Sequence, residues 1–374
     1  MQYREYGKTG MRLSTLGYGC MRLPSVDGEV DEDEAIRCLR EAVERGVNYF
    51  DTAWFYHGGN SEIVLGRALK DGYRERIFLS TKNKEKTTDG KKWRSLLDEQ
   101  LVKLDVDYLD VYHFHGINWE QWTEKLSVPG GPLDEMRNAQ KEGIVKHCAF
   151  SFHGDAGDVM KLVDTGEFDG MLVQYNLLDR SNEEGIAYAN SKGMGVIVMG
   201  PVGGGRLGGA SKALQEMIPG DVKSTPEAAL RFVMSNPNVT VALSGMSAMD
   251  HVLQNTETAS KEEALSPEER EQIEAMLEEN KRLSDLYCTG CNYCMPCPND
   301  VDIPGNFRLM NFLKVYDLDA HARDGYSGMA KKKVDGVETD VSASACHQCG
   351  ECEPKCPQDI PIIDQLEEVA EALA

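Results

Sequence analysis

The chain has 374 residues, enough for a large core and a smaller module beside it. It carries 62 Asp or Glu against 40 Lys or Arg, a net charge of -22 with no long basic run, which argues against nucleic acid or an anionic membrane face as a partner. No segment approaches the about 20 apolar residues of a membrane helix, and the charged opening MQYREYGKTG is unlike a signal peptide, so a cytoplasmic protein is expected. In a reducing compartment its eleven cysteines point to metal ligation before disulfides.

In chain order, MQYREYGKTGMRLS reads as a hairpin turning at Lys8, Thr9 and Gly10, suited to plugging one end of a barrel. The β-branched runs STLGYGC, NYFDTA, IFLSTK, YLDVYHF, KHCAFSF, GMLVQYN, GVIVMG and VTVALSG are eight strand candidates. Amphipathic stretches such as DEDEAIRCLREAVERG and TPEAALRFVMSN follow them. Eight such βα units close a TIM (β/α)8 barrel, an α/β fold of about 250 residues. A doubly wound sheet would carry GxGxxG after an early strand, and none is there. Residues 265–283 read as a last charged helix. After them the composition shifts to Cys, Pro and Asp, so a barrel over 1–283 and a second domain over 284–374 are expected. Residues 304–328 have helical periodicity, which predicts a mostly helical tail, and Lys331, Lys332 and Lys333 read as a solvated loop.

Polar groups at the C-terminal ends of barrel strands face the active site. Asp51 and Tyr56 follow the second strand, Lys82 ends the third, and His115 ends the fourth. A phenol, an ammonium, a carboxylate and an imidazole so placed can deliver a proton to a carbonyl oxygen as hydride reaches its carbon. Tyr56 is then the acid, Lys82 lowers its pKa, Asp51 holds Lys82 charged, and His115 fixes the direction of the carbonyl. His113 reads as packing, and Cys20, Cys38 and Cys148 as small buried hydrophobes. Trp119 and Trp122 are candidates either for the substrate pocket or for packing against the barrel.

DTAWFY, GNSEIVLGRAL, STK, DVYHFHG, VQYN and GPVGGGRL resemble the aldo-keto reductases through most of residues 1–260. That resemblance implies reduction of aldehydes and ketones on a TIM barrel, with NADH or NADPH as cofactor and this tetrad as catalyst. It implies that Ser151 and Gln174 hydrogen-bond the nicotinamide amide, with His153 nearby, and that Pro201, Gly205 and Leu207 lie along the pyrophosphate. Met199 stands where relatives often carry a stacking aromatic. Gly245, Ser247 and Asn255 match the adenosine loop and the helix after it, but that stretch offers only Ser247 and His251 where a 2′-phosphate is usually gripped by Arg or Lys, which favours NADH.

Cys346-x2-Cys349-x2-Cys352-x3-Cys356-Pro357 has the spacing of a bacterial [4Fe-4S] motif. Cys288, Cys291, Cys294 and Cys297-Pro298 repeat it with one residue fewer before the last cysteine. Four thiolates also suit zinc, but zinc modules usually separate two CxxC pairs by a longer loop. Two [4Fe-4S] clusters are expected, with Cys297 completing the site of Cys346, Cys349 and Cys352, and Cys356 completing the other. The tail, including VDIP and QDIPI, resembles helical two-cluster ferredoxin modules, and the whole chain resembles the ferredoxin-tailed aldo-keto reductases. A nicotinamide passes two electrons together and a cluster one at a time, so a converter is needed, and no flavin motif is visible. Two functions follow: a reductase of a small carbonyl substrate linked by its clusters to a redox protein partner, or an electron-transfer or docking subunit using the barrel as a scaffold.

Overall fold

A computed structural model describes the chain except for residues 153–155, 178, 204–221, 262–264, 266–267, 270, 274, 277–293, 315, 335–336 and 357–359. The chain divides into two units, Met1–Gly204 with Ala229–Ser266, and Gly205–Ala228 with Pro267–Ala374.

In the first unit, β1 (Tyr3–Glu5) and β2 (Arg12–Ser14) pair antiparallel. Gly7 and Gly10 hold the turn between them at φ +55° and +77°, a region closed to most side chains. The hairpin is the expected plug. Its Tyr6, Met11 and Leu13 are buried in one cluster with the inward residues Tyr49, Val111, Ala149, Leu172, Ile197, Val241 and Leu243. Room for the Tyr6 ring comes from two glycines paired in register, Gly170 and Gly195, at the starts of neighbouring strands. A Cβ at Gly170 would lie 1.7 Å from the Tyr6 Oη, and one at Gly195 would lie 2.2 Å from its Cδ2.

After β3 (Leu16–Gly19) a small hairpin, β4 (Ser25–Val26) and β5 (Glu29–Val30), precedes the next barrel strand. The remaining barrel strands are β6 (Tyr49–Asp51), β7 (Phe78–Asn83), β8 (Leu109–Phe114), β9 (Val145–Phe152), β10 (Gly170–Gln174), β11 (Gly195–Met199) and β12 (Val241–Ser244). With β3 they close an eight-stranded parallel barrel in sequence order. All eight strands coincide with the runs read from sequence. β-Branched and aromatic side chains fit a pleated surface buried on both faces.

Helices cover the outside, two of them started by an aspartate cap. Asp31 caps Glu32–Glu44 by accepting from the Glu34 N–H at 3.2 Å, and Asp89 caps Gly90–Leu104 by accepting from Lys92 N–H at 3.2 Å. Because strand residues alternate, β7 turns Phe78, Ser80 and Lys82 inward and Thr81 outward. Thr81 donates at 2.7 Å to Glu62 Oε1, which also accepts from Gln100 Nε2 at 2.6 Å. Burial raises the Glu62 pKa, and these two donors draw it back. Trp122 is buried against Phe114 and Phe168, with ring centroids 5.6 and 4.7 Å away, so it packs the core and does not line a pocket. Trp119 is half-buried. Cys20, Cys38 and Cys148 are buried as expected, and burial raises all three thiols, Cys38 to about 11.

The second unit contains the helices Ile303–Lys314, Asp319–Met329 and Ile362–Leu373. It also holds a hairpin, β13 (Lys332–Val334) and β14 (Val337–Thr339), that the reading of a helical tail with a lysine loop did not contain. Asp335-Gly336 between the strands is a two-residue hairpin signal, overlooked because three lysines suggested solvent alone. The charged helix expected over 265–283 falls largely outside the described residues.

The plug yields a test. Gly195→Ala should destabilise the barrel by about 1–3 kcal/mol through overpacking against Tyr6, read as a lowered urea midpoint with unchanged slope.

Candidate active site and cysteine cavity

The four residues read from sequence converge at the C-terminal mouth of the barrel. Asp51 of β6 pairs in register with Ser80 of β7, so Ser80 and Lys82, two residues apart on one strand face, both reach it. Lys82 Nζ donates to Asp51 Oδ2 and, at 2.7 Å, to the Thr52 carbonyl, while Ser80 Oγ donates to Asp51 Oδ1. Lys82 and Asp51 are 1% and 2% exposed, so this is a fully buried ion pair. Lys82 Nζ also lies 5.1 Å from the centre of the Tyr56 ring. His115 meets Tyr56 edge-on at 6.4 Å between centroids and is stacked on Phe55 at 5.2 Å. Its backbone is fixed by neighbours: His115 N–H donates to Asn83 O at 3.0 Å, and the next residue, Gly116, donates to Ser151 Oγ at 2.7 Å.

Burial alone would lower the Lys82 pKa, but Asp51 and Tyr56 outweigh it and raise it, keeping the ammonium charged. Burial raises Asp51, and Lys82 and Ser80 draw it back. At Tyr56 the outcome differs from the sequence expectation. Lys82 does lower the phenol's pKa, but burial raises it by more, so the group stands above its ordinary value and stays protonated at neutral pH. His113, buried inside the barrel opposite Lys82, is pushed down to about 3 by burial and by that ammonium. It is a neutral packing residue, as its position in the strand suggested.

The aldo/keto reductase family profile matches residues 15–278. The chain belongs to this family. As an aldo-keto reductase it is an oxidoreductase, and its residues 287–360 match a 4Fe-4S dicluster domain. It is 28% identical over 314 residues to the L-galactose dehydrogenase of Arabidopsis thaliana, across 76% of this chain and 97% of that protein. Among solved structures it is similar to the holo form of aldo-keto reductase AKR11C1 from Bacillus halodurans, with a TM-score of 0.64 and 28% identity over 74% of this chain and 96% of that one. It shares the fold of an aldo-keto reductase from Klebsiella pneumoniae in complex with NADPH, with a TM-score of 0.62 and 21% identity over 74% and 96% of the two chains.

The described residues read as cofactor contacts in this aldo-keto reductase lie at the ends of β9 to β12 and on the helix Met249–Ser260 that follows. Ser151 accepts from the Gly116 N–H, which leaves its own O–H to donate to a ligand. Gln174 and Met199 are paired in register. Gly200, at φ +64°, brings its backbone close over Gln174: a Cβ there would lie 2.6 Å from the carboxamide. Asn255 Nδ2 donates to Ser244 Oγ at 3.2 Å, and Ser247 Oγ lies 3.4 Å from His251 Nδ1. Pro201 follows at the start of the next turn, whereas Gly205, Leu207 and His153 are outside the described residues. This polar rim, with backbone laid open at Gly200, fits a nicotinamide dinucleotide. One residue escaped the sequence reading. The stem of Arg22, from the turn after β3, packs on Gly245, 3.1 to 3.5 Å from where a Cβ would be. It brings an arginine stem to a loop that carries no Arg or Lys in the sequence, and no local signal connects residues more than two hundred positions apart.

In the second unit Cys297, Cys346, Cys349 and Cys352 line one cavity, walled by Val301, Ile303, Ile363 and Leu366. Asn306, buried, holds the approach to the second run. Its Nδ2 donates to Asp302 O at 2.8 Å and Val341 O at 3.1 Å, and its Oδ1 accepts from Ala343 N–H at 2.8 Å. Gln348 at φ +53° and Gly350 at φ +75° then turn the chain along the cavity that three of its cysteines line, and Cys346 Sγ accepts from the Gln348 N–H at 3.4 Å. Among the described residues no three Cys, His, Asp or Glu side chains gather as ligands of a single metal ion. Four thiols spread around an apolar cavity fit a larger cluster. Cys294 is buried and Cys356 half-buried, neither lining this cavity, and Cys288 and Cys291 are outside the described residues.

The ion pair yields a second test. Lys82→Met should cost about 3–5 kcal/mol of stability, because it strands the Asp51 charge in the interior. The double substitution Lys82→Met with Asp51→Leu should recover most of it, as read from denaturant midpoints.

Proposed function

We propose that this aldo-keto reductase reduces a small aldehyde or ketone to the alcohol, with Tyr56 as proton donor. The observation that supports this most is the single Lys82 ammonium held by Asp51 and the Thr52 carbonyl 5.1 Å from the centre of the Tyr56 ring, with His115 beside it. A bound NADH or NADPH would supply the hydride that reaches the carbonyl carbon. The negative charge that then develops on the carbonyl oxygen is met by the Tyr56 proton and by a hydrogen bond from His115. As the proton leaves, the phenolate forms beside a cation that Asp51 keeps charged, which stabilises it where burial alone would oppose it. Ser151 and Gln174 would orient the nicotinamide amide, Met199, Pro201, Gly205 and Leu207 would flank the cofactor, and Gly245, Ser247 and Asn255 would seat its adenosine. The loop's own residues favour NADH, and Arg22 against Gly245 adds the charge that would admit NADPH.

The reading extends to a barrel domain over 1–283 and an iron–sulfur domain over 284–374 with two [4Fe-4S] clusters. Cys297, Cys346, Cys349 and Cys352 would hold one, and Cys288, Cys291, Cys294 and Cys356 the other. Bound clusters would supply one-electron exchange with a redox protein partner, and the exposure of His347, Gln348 and Cys349 suits such an exchange at the surface. Among the described residues no helix is long and apolar enough to cross a membrane.

Tyr56→Phe and Lys82→Met should each lower carbonyl reduction by about two to four orders of magnitude while cluster absorption persists. The wild-type rate should stay flat from neutral pH to the ordinary phenol pKa of about 10 and fall only above it, since the acid form is the active one and its pKa is raised. Near wild-type turnover in both variants would favour the scaffold reading. Anaerobically purified protein should hold about eight iron atoms per chain, four per cluster, and stoichiometric zinc with little iron would refute the cluster assignment.

A further inference from the structure

Cys297, Pro298, Asn299 and Asp300 form a turn closed by the Asp300 N–H donating to Cys297 O at 3.1 Å, with Asp300 at φ +59°. The turn sets Cys297 and Asn299 on the wall of the same thiol-lined cavity. From there Asn299 Nδ2 donates to Cys349 Sγ at 3.8 Å, so a side chain next to the first cysteine run grips a sulfur of the second, fifty residues on. Apart from the thiols, Asn299 and His347 carry the only polar side chains among the described residues that line the cavity. The Gln348 N–H on Cys346 is a backbone donor that does not depend on the side chain at 348, whereas the Asn299 donor is a matter of side-chain identity.

We propose that Asn299 is a positioning residue that raises the reduction potential of the cluster held by Cys297, Cys346, Cys349 and Cys352. The inference rests on the cluster reading above. Hydrogen bonds to ligating sulfurs are among the protein's means of setting a cluster's potential. Reduction adds one electron, and the added negative charge is shared with the sulfurs. An amide N–H therefore binds Cys349 Sγ more strongly in the reduced state than in the oxidised one, and favours reduction. No proton moves and no ligand changes, so the residue alters the equilibrium without altering the chemistry.

The test is a redox titration of the full chain, purified anaerobically and followed by electron paramagnetic resonance, for wild type, Asn299→Ala and Asn299→Asp. In Asn299→Ala one of the two midpoints should fall by about 59 mV, a tenfold shift of a one-electron equilibrium. The other midpoint and the iron content should stay as in wild type. Asn299→Asp, which keeps the shape, loses the donor and adds a negative charge, should lower the same midpoint further, and it carries the test if the alanine variant loses iron. Midpoints within about twofold of the wild-type equilibrium in a fully loaded variant would overturn the role of Asn299. A wild-type chain without iron would instead overturn the cluster reading beneath it.

Discussion

The chemistry of the barrel depends on one buried ion pair. Lys82 and Asp51 are both removed from water, where an isolated charge is expensive and a matched, hydrogen-bonded pair is tolerable. Every remaining bond around them is made by the barrel itself: Ser80 from the same strand face as Lys82, and the Thr52 carbonyl from the residue after Asp51. The pair is thus a consequence of strand register. A slip of one residue in β7 would turn Ser80 and Lys82 to the helices and bring Thr81 and Asn83 into the mouth.

The same burial that makes the pair costly gives Tyr56 its character. A phenol near a cation in water would lose its proton more easily. In this mouth desolvation of the phenolate outweighs the attraction of Lys82, and the resting group is an acid with its proton in place. In the proposed reaction the cation would act on the other side, where the charged form must exist. His113 and His115 show how position decides role for one residue type: two places apart, one is sealed inside the barrel and neutral, and the other reaches the mouth and stacks on Phe55. The opposite end of the barrel is closed by packing. Tyr6 and its hairpin close it with apolar surface, made possible by the two missing side chains at Gly170 and Gly195.

In the second unit buried polar side chains fix the backbone beside an apolar core that includes Val301, Ile303, Phe307 and Leu366. Asn306 spends its whole carboxamide on backbone groups, and Tyr326 Oη lies 2.8 Å from Ser344 Oγ and accepts from the Ser344 N–H at 3.1 Å, so the chain enters the second cysteine run from a fixed point. Gly350 at φ +75° is required for the turn that follows. These restraints bring the thiols of two distant runs to one cavity.

The sequence by itself determined the barrel and its four polar residues. Strand alternation and β-branched runs are local, and Asp51, Tyr56, Lys82 and His115 each follow a strand whose end must face the mouth. The cysteine spacing was equally local, and it separated the eight thiols of the tail from Cys20, Cys38 and Cys148, which are simply buried. What tertiary structure decided were sums over neighbours that no window of sequence contains. The balance of burial against Lys82 sets the direction at Tyr56, Trp122 is committed to the core by Phe114 and Phe168, and Arg22 reaches Gly245 because β3 and β12 are adjacent where the barrel closes. Asn299 finds Cys349 for the same reason. Hydrogen bonds, desolvation and contact act over a few ångströms of space, and only the closed fold says which distant residues share that space.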